Sequence, residues 1–320
     1  MNPIAGINLI RTSRARLPFI LTLVCLTLGG CVTQYLENDL NNTVTPIVAE
    51  ANAAATAAES CTDPALQAAA TTAATNARQA ASALRAAGGQ LLQTREQLRL
   101  STELRIAIES NIQKLQNQVT NSSARVNSLL ASAANPQPGI VEESRRASER
   151  AAANAASAVQ SIATLAASQN VIDHATDSEK AELATLKSEA EAFAATAAAE
   201  APLSTIAAGE NDEHAKKAMT AGYLAEVRQE RASIIEANIK IRQETAKLQR
   251  QLDVNVPGSE AAAAAAYEKA LADFESAKAA ANTATDAATA IATQCGCVVG
   301  PPQFPTTPYY NATWWDTASP

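Results

Sequence analysis

The residues of this 320-residue chain best able to do chemistry are five cysteines and two histidines, and their spacing restricts what that chemistry is. Cys295-Gly296-Cys297 places two thiols one residue apart, Cys61 stands far upstream, and Cys25 and Cys31 lie near the N-terminus. A close thiol pair suits disulfide exchange or a soft metal ion. A thioredoxin-like redox motif belongs in a βαβ pattern, and none surrounds these residues. A structural metal site needs a second ligand pair at diagnostic spacing, and the chain offers none. His174 is flanked by Asp173 and Asp177, and His214 follows Glu210, Asp212 and Glu213. A carboxylate beside an imidazole orients a metal ligand or a general base. Both histidines stand at expected helix junctions, however, where acidic residues serve as caps. No glycine-rich phosphate loop, nucleophile elbow or His-Glu-x-x-His motif occurs. The sequence therefore assigns no catalytic residue and no metal, and the expectation is a protein that is not an enzyme.

Cys31 has a different setting. Arg11, Arg14 and Arg16 precede an apolar run from Leu17 to Leu28, and no acidic residue lies among the first thirty. A positive segment, a short apolar core and small residues at Gly29 and Gly30 predict a secretory signal over residues 1–30. The core is shorter than the roughly 20 apolar residues a bilayer span needs. Leu28-Gly29-Gly30-Cys31 resembles the lipobox of bacterial lipoproteins. The resemblance covers only the first thirty-odd residues. It implies cleavage between Gly30 and Cys31 and a diacylglyceryl group on the Cys31 sulfur, usually with an N-acyl chain. That lipid is the only covalent group expected, with no other cofactor. It also implies export and attachment to the cell membrane. Val32 follows where an aspartate would retain some lipoproteins in an inner membrane, so in a host with two membranes the outer one is favoured.

Cys25 leaves with such a signal. Cys61, Cys295 and Cys297 then meet an oxidising compartment that permits disulfides. Cys61 precedes the first long helical arm and the Cys295–Cys297 pair follows the last. An even number of antiparallel arms brings those positions to one end. A bridge from Cys61 to Cys295 or to Cys297 is expected, and the remaining thiol is free or joins two chains in a homo-oligomer.

Composition bounds the partners and the core. Three of the 25 basic residues and none of the 32 acidic ones lie in the first thirty positions, which leaves 22 against 32 and a net charge of −10. Nucleic acid, which demands a basic face, is not an expected partner. Hydrophobic residues make up 47%, yet aromatics are only 3% and much of the rest is alanine. Alanine buries little area but is the best helix former. Closely packed slender helices follow.

The elements are marked by proline and glycine. Residues 31–63 read as a lipidated tether leading into a short alanine-rich helix from Ile47 to Glu59. Asp63-Pro64 restarts the chain with a cap and a first-turn proline. Residues 64–294 read as an elongated antiparallel helical bundle of about four long helices with coiled-coil seams. The first arm runs from Ala65 to about Ala133. Leu104, Ile108, Ile112, Leu115, Val119, Ser122, Val126 and Leu129 step along it by three and four. Leu84, Leu91 and Leu98 extend the row upstream, and Gly88-Gly89 is a weak point. Asn135-Pro136-Gln137-Pro138-Gly139 is a turn. The second arm runs from Ile140 to about Glu200, with capping-box spacing between Thr176 and Glu179 near Asp173–Asp177. The third, Glu210 to about Leu252, has a heptad row at Leu224, Val227, Arg231, Ile234, Asn238, Ile241, Thr245, Leu248 and Leu252. Asn238 either fixes register in that seam or faces water. The fourth runs from Ser259 to about Thr293, with Tyr267, Leu271 and Phe274 on one face. The expected shape is a four-helix base continuing into a two-helix spike tipped by Asn135–Gly139.

Residues 295–320 form an irregular tail. It holds five of the eleven aromatic residues, among them Tyr309, Tyr310, Trp314 and Trp315. Paired aromatics among prolines suit stacking on sugars, contact with a protein, or a membrane interface. They also suit folding back on helices that lack large side chains. The function these features imply is a lipid-anchored structural or interaction protein of the cell envelope. Its partners would be the membrane and an envelope or surface protein or a cell-wall glycan. The alternative is a membrane-active helical bundle akin to α-helical pore-forming toxins. That reading needs a strongly apolar hidden segment, and the longest apolar runs are short and alanine-dominated.

Overall fold

A computed structural model describes the backbone of residues 29–139, 141–204 and 211–304, and side chains from Leu40 onward within these apart from Val141 and Glu142. Among the described residues the chain is all-helical, with no strand. The seven α-helices are α1 (Gly29–Glu59), α2 (Gln67–Ala134), α3 (Val141–Ala166), α4 (Gln169–His174), α5 (Asp177–Glu200), α6 (Glu213–Leu252) and α7 (Glu260–Gln294). A 3-10 turn covers Ala201–Leu203. Residues 1–28 of the expected signal lie outside the described residues, as do Tyr309, Tyr310, Trp314 and Trp315. The chain forms two compact units. Among the described residues one comprises 29–97 together with 264–304, and the other lies within Leu98–Ala263.

The first unit corrects the expectation of a tether. Residues 29–59 are one helix, with Pro46 inside it. Leu40, Val44, Val48, Ala51, Ala55 and Ala58 recur at intervals of three or four, and all are buried. That row is a helical face, and its packing outweighs the backbone hydrogen bond Pro46 removes. Leu40 to Ala51 meet Leu84, Leu91 and Phe274, while Ala54 to Ala58 meet Ala73, Ala74, Ala77, Ala288 and Ala292. α1 is therefore antiparallel to α2 and parallel to α7. A bidentate pair from Arg78 to Glu59 joins the last turn of α1 to α2. The expected four-helix base is corrected as well. α1, not the second and third arms, completes this core beside α2 and α7. α2 runs without interruption through Gly88-Gly89, because Leu84, Ala87 and Leu91 around them are buried. Tertiary packing of this kind outweighs local propensity.

The second unit is built on α3, α5 and α6, with the later turns of α2 against α6. The second arm is not one helix: it stops after Ala166, makes the short α4, and restarts at Asp177. Ser168 caps α4, and Thr176 caps α5 in a full capping box with Glu179. The start of α3, the end of α5 and the start of α6 meet at one end, so α5 is antiparallel to both. Ile162, Leu183, Leu186, Ile235 and Ile239 fill the core away from that end.

Glu179 does more than cap. It accepts from Arg242 Nη1 at 2.6 Å and Nη2 at 2.8 Å, as well as from the Thr176 backbone N–H at 2.8 Å. The Arg242 bonds foremost hold its carboxyl down at about 2. A depressed carboxylate stabilises the fold above the ordinary value near 4.5, and that contribution is lost as pH falls through about 2. Arg242 is half exposed, so solvent screening leaves about 1–2 kcal/mol. Glu179→Gln is expected to flatten the stability of this unit between those two pH values, as read by denaturant midpoints in a pH series.

The packed rows show how alanine shapes the core. On α2 the expected row is the inward face: Ile108, Val126 and Leu129 are buried, and Ile112, Leu115, Val119 and Ser122 are half-buried. Leu104 falls outside it, 50% exposed. On α6 the expected heptad row is displaced except at Val227, which is fully buried. Leu224, Ile234, Ile241, Thr245 and Leu248 are half-buried, and Arg231, Asn238 and Leu252 are exposed. The buried row runs through Ala218, Gly222, Ala225, Ala232, Ile235 and Ile239. Small residues let helices approach until backbones touch, so they hold the centre of the interface and the larger residues flank it. Asn238 faces water and does not set register within the chain.

Gly222 marks the closest approach. A Cβ built there would lie 2.8 Å from Ala151 Cβ and 2.9 Å from Ala151 O, both on α3. Alanine would gain about 1 kcal/mol of helix propensity but must displace backbone. Gly222→Val is expected to destabilise the second unit by about 2–3 kcal/mol through overpacking. An unchanged denaturation midpoint would show that α3 and α6 do not meet there.

Candidate functional site

The described backbone of α1 includes Cys31, the cysteine of the lipobox-like motif. Leu40, the first residue of α1 whose side chain is described, is buried and lies nine positions later, about 14 Å along the axis at 1.5 Å per residue. The described backbone from Cys31 to Leu40 is helical.

The three remaining cysteines are sorted by a helix terminus. Cys61 and Cys295 form a disulfide with their Cα atoms 5.5 Å apart, across a sequence separation of 234. α7 ends in a Schellman turn. Gly296 adopts φ +72°, its N–H donates to Thr293 O at 3.0 Å, and the Cys297 N–H donates to Ala292 O at 2.9 Å. The left-handed glycine reverses the chain between the two thiols. Cys295 is presented to Cys61, which lies just past the end of α1. Cys297 is carried back against the alanine cluster, half-buried, with a free thiol. The choice between Cys295 and Cys297 turned on this glycine. The pattern of a helix followed by X-Gly-X was its signal in the sequence.

The histidines occupy helix ends and do not converge. His174 ends α4 and is exposed. His214 lies in the first turn of α6, with Nδ1 2.6 Å from Glu200 Oε2 at the end of α5. The group between the helices is Asp212, only 2% exposed. Its Oδ1 accepts from the backbone N–H of His214 and of Ala215, each at 3.0 Å. Its Oδ2 accepts from Ser204 Oγ at 2.5 Å and Ser144 Oγ at 3.4 Å. Both hydroxyls thus point to the carboxylate and not to the imidazole. With at least four donors on it, Asp212 caps α6 and ties the starts of α3 and α6 to the end of α5. Sequence reading found the junction but not the two serines, which come from distant segments that no local pattern links.

Among the described residues no group of three or more His, Cys, Asp or Glu side chains is placed to hold a metal ion. None of the described helices is long and apolar enough to cross a membrane. An open groove beside the Asn135–Gly139 turn is lined by Arg146, Arg150, Asn154, Tyr223 and Glu226. There Glu226 accepts from Asn154 Nδ2 at 2.9 Å and pairs with Arg125. A second groove, in the first unit, lies between α1 and residues 298–303. No family model, curated protein or solved structure matches this chain.

Proposed function

We propose that the chain is an exported lipoprotein, acylated on Cys31 and cleaved after Gly30. On this reading it is held at a cell membrane and acts through contacts rather than catalysis. The observation that carries the proposal is Leu28-Gly29-Gly30-Cys31 at the seam between the apolar run and the polar chain. An acylated thiol with more than one chain binds firmly, since each buried methylene contributes about 0.8 kcal/mol. In a host with two membranes the outer one is the proposed site, and the partner is an envelope or surface protein or a cell-wall glycan. Antiparallel arms with coiled-coil seams belong to the same reading. The inward row of α2 at Ile108, Ile112, Leu115, Val119, Val126 and Leu129 supports them. The absence of any cofactor beyond the lipid is likewise part of the proposal.

The test is acylation and its consequence. Labelled palmitate is expected to enter the wild-type chain and not Cys31→Ser. The same chain from residue 32, exported behind an ordinary cleavable signal, is expected to wash off membranes. Palmitate on the Cys31→Ser chain, or firm retention of the unlipidated one, would contradict the proposal.

A further inference from the structure

Three cysteines meet at one end of the first unit, and two of them are bonded. Cys61 and Cys295 form the bridge, and Cys297 keeps a free thiol two residues from it. Cys297 is not turned out to solvent. It is half-buried and packs on the alanine cluster, whose members Ala57 and Ala58 lie in the last turn of α1. The Cys61 backbone N–H donates to Ala58 O at 3.1 Å, so Cys61 stands directly on that turn. Consecutive Cα atoms are about 3.8 Å apart, so those of Cys295 and Cys297 lie at most about 7 Å from each other. A disulfide accepts Cα separations of about 4.4–6.8 Å. The separation from Cys61 to Cys295 is 5.5 Å, so rearrangement about Gly296 is enough to put Cys297 in its place. Cys61 is only 4% exposed, which shields its sulfur from thiols in solution but not from one packed at the same end of the unit.

We infer that Cys297 is the exchange thiol of this bridge, and that Cys61 alternates between Cys295 and Cys297. The Cys297 thiolate attacks Cys61 Sγ. A Cys61–Cys297 bond forms, the Cys61–Cys295 bond breaks, and the electron pair leaves on Cys295 Sγ, which takes up the proton that Cys297 gave. One disulfide and one thiol remain, so no oxidant or reductant is consumed. The new bridge adds two residues to a closed loop of 234, so the chain-entropy stabilisation is the same for both. Local structure decides between them. The Cys295 bridge keeps the Schellman turn, in which the Gly296 and Cys297 N–H groups donate to Thr293 O and Ala292 O. The Cys297 bridge gives up those two bonds, which sets an excess on the order of ten- to a hundredfold in favour of Cys295. The exchange moves the strap that follows. Val298, Gly300, Pro301 and Gln303 line a groove against α1 between Ala49 and Ser60. A bridge at Cys297 shifts the tether of that strap by two residues, up to about 7 Å.

The experiment uses the full chain extracted without reductant and held at pH 8 for hours, the timescale of uncatalysed disulfide rearrangement. A pulse of excess maleimide caps the free thiol, and acid then stops exchange. Tandem mass spectrometry of the peptide that holds both cysteines reads which one carries the cap. The expected result is a cap mostly on Cys297, with roughly 1–10% on Cys295. Gly296→Ala disfavours the left-handed turn that goes with the Cys295 bridge, and is expected to raise the Cys295 share about tenfold. A cap confined to Cys297 in the wild type would overturn the inference, and an unchanged share in Gly296→Ala would overturn the control assigned to the turn. A dimer joined through Cys297 on non-reducing electrophoresis would overturn it too, because the thiol would be spent between chains. Cys295→Ser tests reach by itself: a Cys61–Cys297 bridge is expected, and caps on both Cys61 and Cys297 would contradict it. None of these readouts depends on acylation of Cys31.

Discussion

Removing the Cys61–Cys295 bridge is expected to destabilise the first unit by about 4–5 kcal/mol. The size follows from the loop it closes, a separation of 234 residues. Chain entropy released to the unfolded state grows with loop length, and this loop spans most of the chain. The surroundings offer little compensation. The buried core next to the bridge consists of Ala54, Ala55, Ala57, Ala58, Ala73, Ala74, Ala77, Ala288 and Ala292, with the half-buried Ile291 and Val299 packed against it. Each contributes one methyl group, worth about 0.8 kcal/mol when buried. The other half of the unit has Leu40, Val44, Leu84, Leu91 and Phe274 and depends less on the bridge. The expected sequence of loss is therefore fraying of the last turns of α1 and α7 before the leucine-rich half opens. Cys61→Ala with Cys295→Ala avoids new pairings with Cys297. Amide hydrogen exchange along α1 and α7, together with denaturant midpoints, reads the effect. Protection unchanged at both helix ends would refute this account of the bridge.

Asp212→Ala is expected to cost the second unit about 3–4 kcal/mol. The carboxylate accepts from two backbone N–H groups at the start of α6 and from the hydroxyls of Ser144 and Ser204. Loss of a helix cap alone costs about 1 kcal/mol. Two buried hydroxyls left without an acceptor add roughly 1 kcal/mol or more each. Ser144 is fully buried, so water does not readily replace the lost partner. Asp212→Asn keeps one carbonyl acceptor for the cap and is expected to lose about half as much. Urea denaturation of the three proteins provides the comparison. Equal midpoints for wild type and Asp212→Ala would show that the carboxylate does not tie the three helix ends together.

The helices were legible where punctuation and spacing agree. Asp63-Pro64, the Asn135–Gly139 turn, the Thr176–Glu179 box and Val256-Pro257-Gly258 all fall at or beside element boundaries. What escaped was any arrangement decided by alanine. In α6 the eye follows Leu224, Ile234, Ile241 and Leu248, yet backbone contact at Gly222 draws the alanine row to the centre. In α1, Asn41, Asn42 and Pro46 obscure a buried row that begins at Leu40, so a helix read as a tether. That error also misplaced the core of the first unit, since α1 takes the position expected for a longer arm. The disulfide was legible as a choice of two partners, because arm topology brings both thiols to Cys61 and only the left-handed turn at Gly296 separates them. The Asp212 cluster joins residues 68 positions apart, and no periodicity signals such a meeting.

The proposed anchoring depends on chemistry at one sulfur. Mass spectrometry of the protein extracted from membranes of cells that make it tests this most directly. The account predicts a chain that begins at Cys31, with a diacylglyceryl thioether on its sulfur and an acyl group on its amine. A chain that begins at another residue, or a Cys31 with an unmodified thiol, would contradict it.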